Sequence, residues 1–256
     1  MAAIEFKSVG LSYGSHRALH NLSFEVPRGQ FVALVGSTGC GKSSVLNLVV
    51  GLLKPTAGGV YLEGRLVESI SRNAAYMFQT DALLPWKTAR ENIMLGPLLR
   101  GVAKDEAIKD ARLWLERVGL RGLGDRYPSQ LSGGQRKRVA MAQALINRPP
   151  ILLMDESFSA LDVQTRALME TELLDLWQEL RATVLFVTHD LEEAIAMADR
   201  LLLLSAGPNA TIKADYPVRL PRPRNVAEAR FIPGFAELYG TIWQNLKEEV
   251  MATYGR

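Results

Sequence analysis

The sequence predicts an α/β fold: a largely parallel sheet flanked by helices, with a β-rich front and a helical segment inserted between its two halves. Three observations predict it. FVALV (31–35), PILLMDE (150–156), TVLFVTH (183–189) and LLLLS (201–205) are short apolar runs of the kind that forms strands buried on both faces. In the last third these runs alternate with helical segments, the signature of parallel strands joined by crossover helices. The first run ends in a glycine-rich turn and continues at helical spacing, LVGSTGCGKSSVLNLVVGLL over 34–53.

Taken in order, IEFKSV and LSFEV alternate with period two, PRGQ is a turn, and FVALV is a buried strand, so residues 3–35 form a β-rich front. A helix is expected over about 42–53. KPTAGG then breaks the chain, GVYLEG reads as a strand, and AYMFQ reads as a short strand ending at Gln79. From about 80 to 148 the texture is helical. In KDEAIKDARLWLERVGL, Ile108, Ala111, Leu115 and Val118 share a face and Gly119 suits the stop. PILLMDE, a helix from Thr165 to Leu180, TVLFVTH, a helix begun by Asp190 with Glu193 three residues on, and LLLLS complete the sheet. The expected organisation is one domain over 1–205, its helical subdomain inserted at about 80–148, and an extension over 206–256. In that extension DYPVRLPRPR is extended and RFIPGFAELYGTIWQNLKEEV forms a terminal amphipathic helix.

Bulk properties narrow the function classes. At 256 residues and 48% hydrophobic content the chain can build a substantial core. Thirty basic against twenty-seven acidic residues leave +3, too little to argue for nucleic acid or an anionic membrane surface. Cys40 is the single cysteine, which excludes an intrachain disulfide framework and suits a reducing cytoplasm. No apolar run is long enough to span a bilayer, and MAAIEFKS lacks the regions of a secretory leader, so the chain is expected to be neither secreted nor membrane-spanning by itself.

The chemistry begins in the glycine turn. Gly36, Gly39 and Gly41 let the backbone point its N–H groups inward at the start of a helix, forming an anion cradle. Lys42 adds a charge for the outer phosphates, and Ser43 places a hydroxyl to ligand Mg2+; Gly36 to Ser43 fits G-x-x-x-x-G-K-[ST]. ILLMDES delivers two carboxylates to the sheet's carboxyl edge: Asp155 for the cation and Glu156 to polarise the water that attacks the γ-phosphate. In LSGGQRKRVAMAQAL (131–145), Ser132, Gly133 and Gly134 open a helix whose first amides are free, a second anion-facing device.

The phosphate loop GSTGCGKS, LSGGQ, the ILLMDE strand, SALD after it and the histidine of FVTHD together resemble the ATP-binding subunit of ATP-binding cassette (ABC) transporters, in order and spacing over about residues 3–205. The resemblance implies a P-loop NTPase core with an antiparallel β subdomain, and ATP and Mg2+ as ligands. The loop residues Gly36, Ser37, Thr38, Gly39, Cys40, Gly41, Lys42, Ser43 and Ser44 would hold the phosphates and Tyr13 would stack on adenine. Gln79 would touch both metal and water, His189 would contact the γ-phosphate, and Asp162 would signal across a subunit interface. The single phosphate loop implies a head-to-tail pair, in which Ser132, Gly133, Gly134 and Gln135 of one copy close on ATP held by the other.

Further implied partners are integral permease subunits and an extracytoplasmic substrate-binding protein, with the chain at the cytoplasmic face of the inner membrane and no nucleic acid bound. LLPW (83–86) is similar to the wording of nitrate, aliphatic sulfonate and taurine importers, and exposed Leu84 and Trp86 would suit permease docking. An exporter subunit, or a soluble ATPase of the same fold, are the alternatives. Four positions depart from the family pattern: Ser157 stands where proline is usual, Ser37-Thr38 replaces Pro-Ser, and Lys137 replaces a frequent glutamine.

Overall fold

The structure is a computed structural model that describes residues 2–253. Two sheets form. In the first, the long strands β1 (Ala2–Tyr13) and β2 (His16–Pro27) pair antiparallel, and β4 (Ala57–Leu62) and β5 (Arg65–Leu66) extend it in the order β2-β1-β4-β5. The second contains β3 (Phe31–Val35), β6 (Ala74–Met77), β7 (Ile151–Asp155), β8 (Thr183–Val187), β9 (Arg200–Leu204) and β10 (Ile212–Pro217) in the order β10-β9-β3-β8-β7-β6. All its pairings are parallel except β10 on β9.

Period two in the central strands divides the core. Phe31, Ala33 and Val35 face one apolar cluster, while Val32 and Leu34 face another. The first cluster takes in the inserted helices α2 (Ala89–Leu99), α3 (Lys104–Arg117) and α4 (Gly133–Leu145), together with α5 (Val163–Leu180) and α6 (Leu191–Met197). The second packs the antiparallel sheet and α1 (Lys42–Val50). Strands this apolar must be covered on both faces, and these two layers cover them.

Several expected boundaries move, each for a local reason. Helix α1 ends at Val50 rather than 53, because Gly51 takes φ 83° and its N–H returns to the Asn47 and Leu48 carbonyls. A Cβ there would lie 2.3 Å from the Ser69 carbonyl oxygen. The segment from 80 to 88 is not helical; the helix begins at Ala89, where Thr88 and Glu91 form a capping box. Strand β6 stops at Met77, two residues before Gln79, since the Phe78 and Gln79 carbonyls bond to Lys137 instead of a neighbouring strand. Helix α5 starts two residues early, capped by Asp162. At α6 Asp190 caps as expected, but the Glu193 side chain turns inward to the Thr188 hydroxyl. In α3 Ala111 and Leu115 are buried and Ile108 only partly so, while Trp114 joins the buried face; Val118, just past the helix, is buried too.

The segment after 205 supplies the edge strand β10 and buries Val218, Leu220, Phe235, Ile242 and Leu246 in the first cluster. Its helix α7 (Phe235–Thr253) follows a 3-10 turn over Val226–Phe231.

Candidate nucleotide site at the carboxyl edge of the sheet

Strand β3 delivers the loop from Gly36 to Ser43 at its carboxyl end, and α1 carries it away. Gly36 has no room for a side chain: a Cβ would come 2.8 Å from Cys40 Sγ and 3.0 Å from the Leu204 carbonyl oxygen. Gly41, the residue before α1, takes φ 103°. Lys42 is buried, and its Nζ donates to the Gly36 oxygen at 2.9 Å and the Ser37 oxygen at 3.0 Å. Its charge therefore spans the cradle, satisfied by two carbonyls that an anion can replace. Thr38 and Gly39 are exposed at the rim, and burial pushes the Cys40 thiol up from its ordinary value, so Cys40 serves as packing. Ser44 meets Tyr13 through hydroxyls 3.0 Å apart, holding a half-exposed ring beside the start of α1.

The neighbouring strand brings the acids. Ser43 Oγ donates to Asp155 Oδ1 at 3.0 Å, and the Tyr76 hydroxyl donates to Oδ2 at 3.1 Å. Burial pushes the Asp155 carboxyl up, with the Ser43 and Tyr76 hydrogen bonds working against it; burial and the Asp155 charge raise Tyr76 as well. Glu156 sits just past β7 at φ 44°, a left-handed conformation costly for a non-glycine residue, held by its N–H bond to the Val187 oxygen at 2.9 Å. Its Oε2 stands 3.1 Å from His189 Nδ1 and 3.5 Å from Gln79 Nε2. Three side chains from the ends of three adjacent strands thus converge at one edge, where Glu156 is next in the chain to Asp155, which Ser43 of the loop holds.

The remaining candidates lie elsewhere. Ser132 caps α4, accepting from the Gln135 N–H at 3.2 Å, and Gln135 Oε1 accepts from the Ser132 N–H at 2.9 Å. Ser132 and Gly133 are exposed, Gly134 partly so, and among the described residues none of the four hydrogen-bonds to the phosphate loop. Asp162 accepts from the Thr165 N–H at 3.0 Å, which holds its carboxyl below the usual range.

Sequence reasoning missed two contributors, Tyr76 and Arg166, and left the partners of Ser157 and Ser37 unassigned. Tyr76 anchors Asp155, and its signal was only the alternation of a short strand. Arg166 donates to the Ser159 and Leu161 oxygens and stands 3.8 Å from Asp190, tying the SALD turn to the His189 loop. The buried Ser157 hydroxyl donates to the Met77 oxygen at 2.9 Å, joining β7 to β6 where proline could not. Ser37 Oγ meets Thr253 Oγ1 of α7 at 2.9 Å, so the Ser37 departure also has a partner.

The family profile described as ABC transporter matches residues 19–159. The chain belongs to the ABC transporter family. Its fold and motifs are those of the ATP-hydrolysing cassette of such transporters. It is 40% identical over 244 residues to the nitrate import ATP-binding protein NrtD of Synechococcus elongatus, covering 92% of this chain and 88% of that protein. It is 44% identical over 244 residues to the aliphatic sulfonates import ATP-binding protein SsuB 1 of Paraburkholderia xenovorans, covering 95% of this chain and 67% of that protein. Among solved structures it is similar to the ATP-binding cassette MJ0796 in a dimeric, post-hydrolysis state bound to ADP and Pi, with TM-score 0.74 and 32% identity over 84% of this chain and 99% of that one. No helix among the described residues is long and apolar enough to cross a membrane.

Proposed function

We propose that this ABC ATPase chain works as a head-to-tail pair at the cytoplasmic face of the inner membrane. There it drives import of small oxyanions of the nitrate or sulfonate kind through a permease supplied by an extracytoplasmic binding protein. The observation that carries the chemistry is the convergence of Gln79, Glu156 and His189 beside Asp155, which Ser43 of the phosphate loop holds. ATP would enter with its adenine against Tyr13 and its phosphates on the amides of Gly36 to Ser44, displacing the Lys42 ammonium from the Gly36 and Ser37 carbonyls toward the outer phosphates. Glu156 would accept the proton of the attacking water, with Gln79 orienting that water and His189 holding the γ-phosphate.

The Ser43 hydroxyl, the Asp155 carboxylate and the Gln79 carboxamide are hard oxygen donors at one edge, and one carboxylate beside substrate phosphates is the set Mg2+ prefers, so the residues fit that ion. Bound there, the ion would neutralise charge on the β- and γ-phosphates. Ser132 and Gly133 lie exposed at the start of α4, as a site that completes another copy requires, and MJ0796 is dimeric. The import reading rests on the relatives over nine-tenths of the chain and on Trp86, 70% exposed after Gln79; Leu84 is only partly exposed. Purification from the native cell in mild detergent should recover a multi-spanning permease, and vesicles holding the complex should take up nitrate or a sulfonate when ATP is supplied. Recovery with only ribosomal, DNA-associated or other soluble partners would sink the transport reading.

A further inference from the structure

Helix α4 buries one cation. Lys137 is 3% exposed, and its Nζ donates to the Gln79 oxygen at 2.7 Å and the Phe78 oxygen at 3.3 Å and stands 3.3 Å from Asp81 Oδ1. Arg136 Nε donates to Asp81 Oδ2 at 2.9 Å, and Arg136 Nη1 to the Leu131 oxygen at 2.8 Å. An ammonium has three donors, and here it finds three acceptors. Burying such a charge is costly unless it is paired and fully hydrogen-bonded, so this arrangement holds its partners tightly. Its partners are not remote: two are consecutive main-chain carbonyls, and one belongs to Gln79, whose side chain reaches toward Glu156 at 3.5 Å. Past Met77 no strand pairing fixes this backbone. Lys137 supplies that restraint from another element. A glutamine here would be shorter, would offer two donors instead of three, and would leave Asp81 without this charge.

We propose that Lys137 is a positioning residue for ATP hydrolysis, which acts by fixing the Gln79 main chain so that the Gln79 carboxamide is aimed at Glu156 and the reacting phosphate. The inference rests on the assignment of Gln79 to the hydrolytic site made above. It gives the Lys137 departure a chemical purpose and separates it from general packing, because a packing residue would alter stability without selecting kcat.

The test is steady-state ATP hydrolysis by the full chain, with ADP affinity and thermal unfolding measured alongside, for Lys137→Met, Lys137→Gln, Gln79→Ala and Lys137→Met/Gln79→Ala. Loss of alignment should lower kcat of Lys137→Met by about tenfold with KM for ATP and ADP affinity unchanged, and Lys137→Gln should recover part of the loss. The double variant should be no slower than Gln79→Ala alone, since the two act as a unit. Equal kcat in Lys137→Met and the parent, or losses that multiply in the double variant, would overturn the proposal. If Gln79→Ala hydrolyses at the parent rate, the reading of Gln79 fails; if Gln79→Ala is slow and Lys137→Met is not, only the present inference fails. Should Lys137→Met not fold, Asp81→Asn keeps the lysine and withdraws its carboxylate: a several-fold lower kcat at unchanged ADP affinity supports the proposal, and an unchanged kcat overturns it.

Discussion

Replacing Glu156 with glutamine should separate ATP binding from hydrolysis. The substitution keeps side-chain volume, and the amide oxygen can still accept from Gln79 Nε2, now 3.5 Å from the carboxylate. The backbone at φ 44° and the N–H bond to the Val187 oxygen do not depend on the carboxylate. The Glu156 charge helps raise the Asp155 carboxyl, so its removal makes Asp155 easier to ionise and does not weaken a cation held there. On the proposed reading, what is lost is an acceptor for the proton of the attacking water. A positioned general base contributes about two to four decades, or roughly 3–5 kcal/mol of barrier at 1.36 kcal/mol per tenfold. Phosphate release at saturating ATP should therefore fall by about a hundredfold or more, while nucleotide affinity measured by fluorescence titration should stay within about twofold. A kcat within about threefold of the parent would remove Glu156 from the mechanism and refute the convergence argument.

Lys42→Ala removes the ammonium that spans the Gly36 and Ser37 carbonyls. ATP affinity by calorimetry should weaken by about tenfold or more, since hydrogen bonds to charged groups contribute about 1.5–3 kcal/mol, and unchanged affinity would count against the cradle. Glu170 and Glu193 are both buried, and burial pushes both carboxyls up, with Asp190 adding to the rise and Arg166 opposing it. A raised value means that their contribution to stability is full below the ordinary 4.5 and lost as pH rises through the raised value. Glu170→Gln should therefore gain thermal stability relative to the parent on going from about pH 5 to about pH 9; parallel curves would contradict the burial argument. Trp86→Ala should change stability by no more than about 0.5 kcal/mol, because the ring is 70% exposed, yet should lose the permease in detergent pull-down. Retention of the permease would exclude Trp86 from docking.

The candidate site residues were legible because their signals are local. Gly36, Gly41 and Lys42 sit within one turn, and Asp155 and Glu156 end one apolar run. The three inner strands were legible too, since burial on both faces leaves unbroken apolar runs. The region from 80 to 88 was not: LLPW has the apolarity of a helix, but the chain there is committed to the Thr88 cap and to the Asn92 side chain, which holds the Leu84, Lys87 and Thr88 carbonyls. The role of the segment after 205 was also hidden, since β10, whose residues alternate between half-buried and exposed, is an edge strand that gains its meaning only from pairing with β9.

By itself the sequence determined the family, and it singled out the glycine-rich turn and the two acids as candidates, because spacing along the chain dictates which backbone amides and side chains a short turn can present. Only the tertiary structure decided which groups face one another: Tyr76 on Asp155, His189 beside Glu156, Lys137 on the Gln79 carbonyl, and Ser37 against Thr253, 216 residues away. The physical reason is that periodicity assigns each residue to a face but leaves strand order open. Placing β7 between β6 and β8, and β8 beside β3, is settled by packing two apolar layers onto one sheet, and that order brings the ends of three strands to a single site.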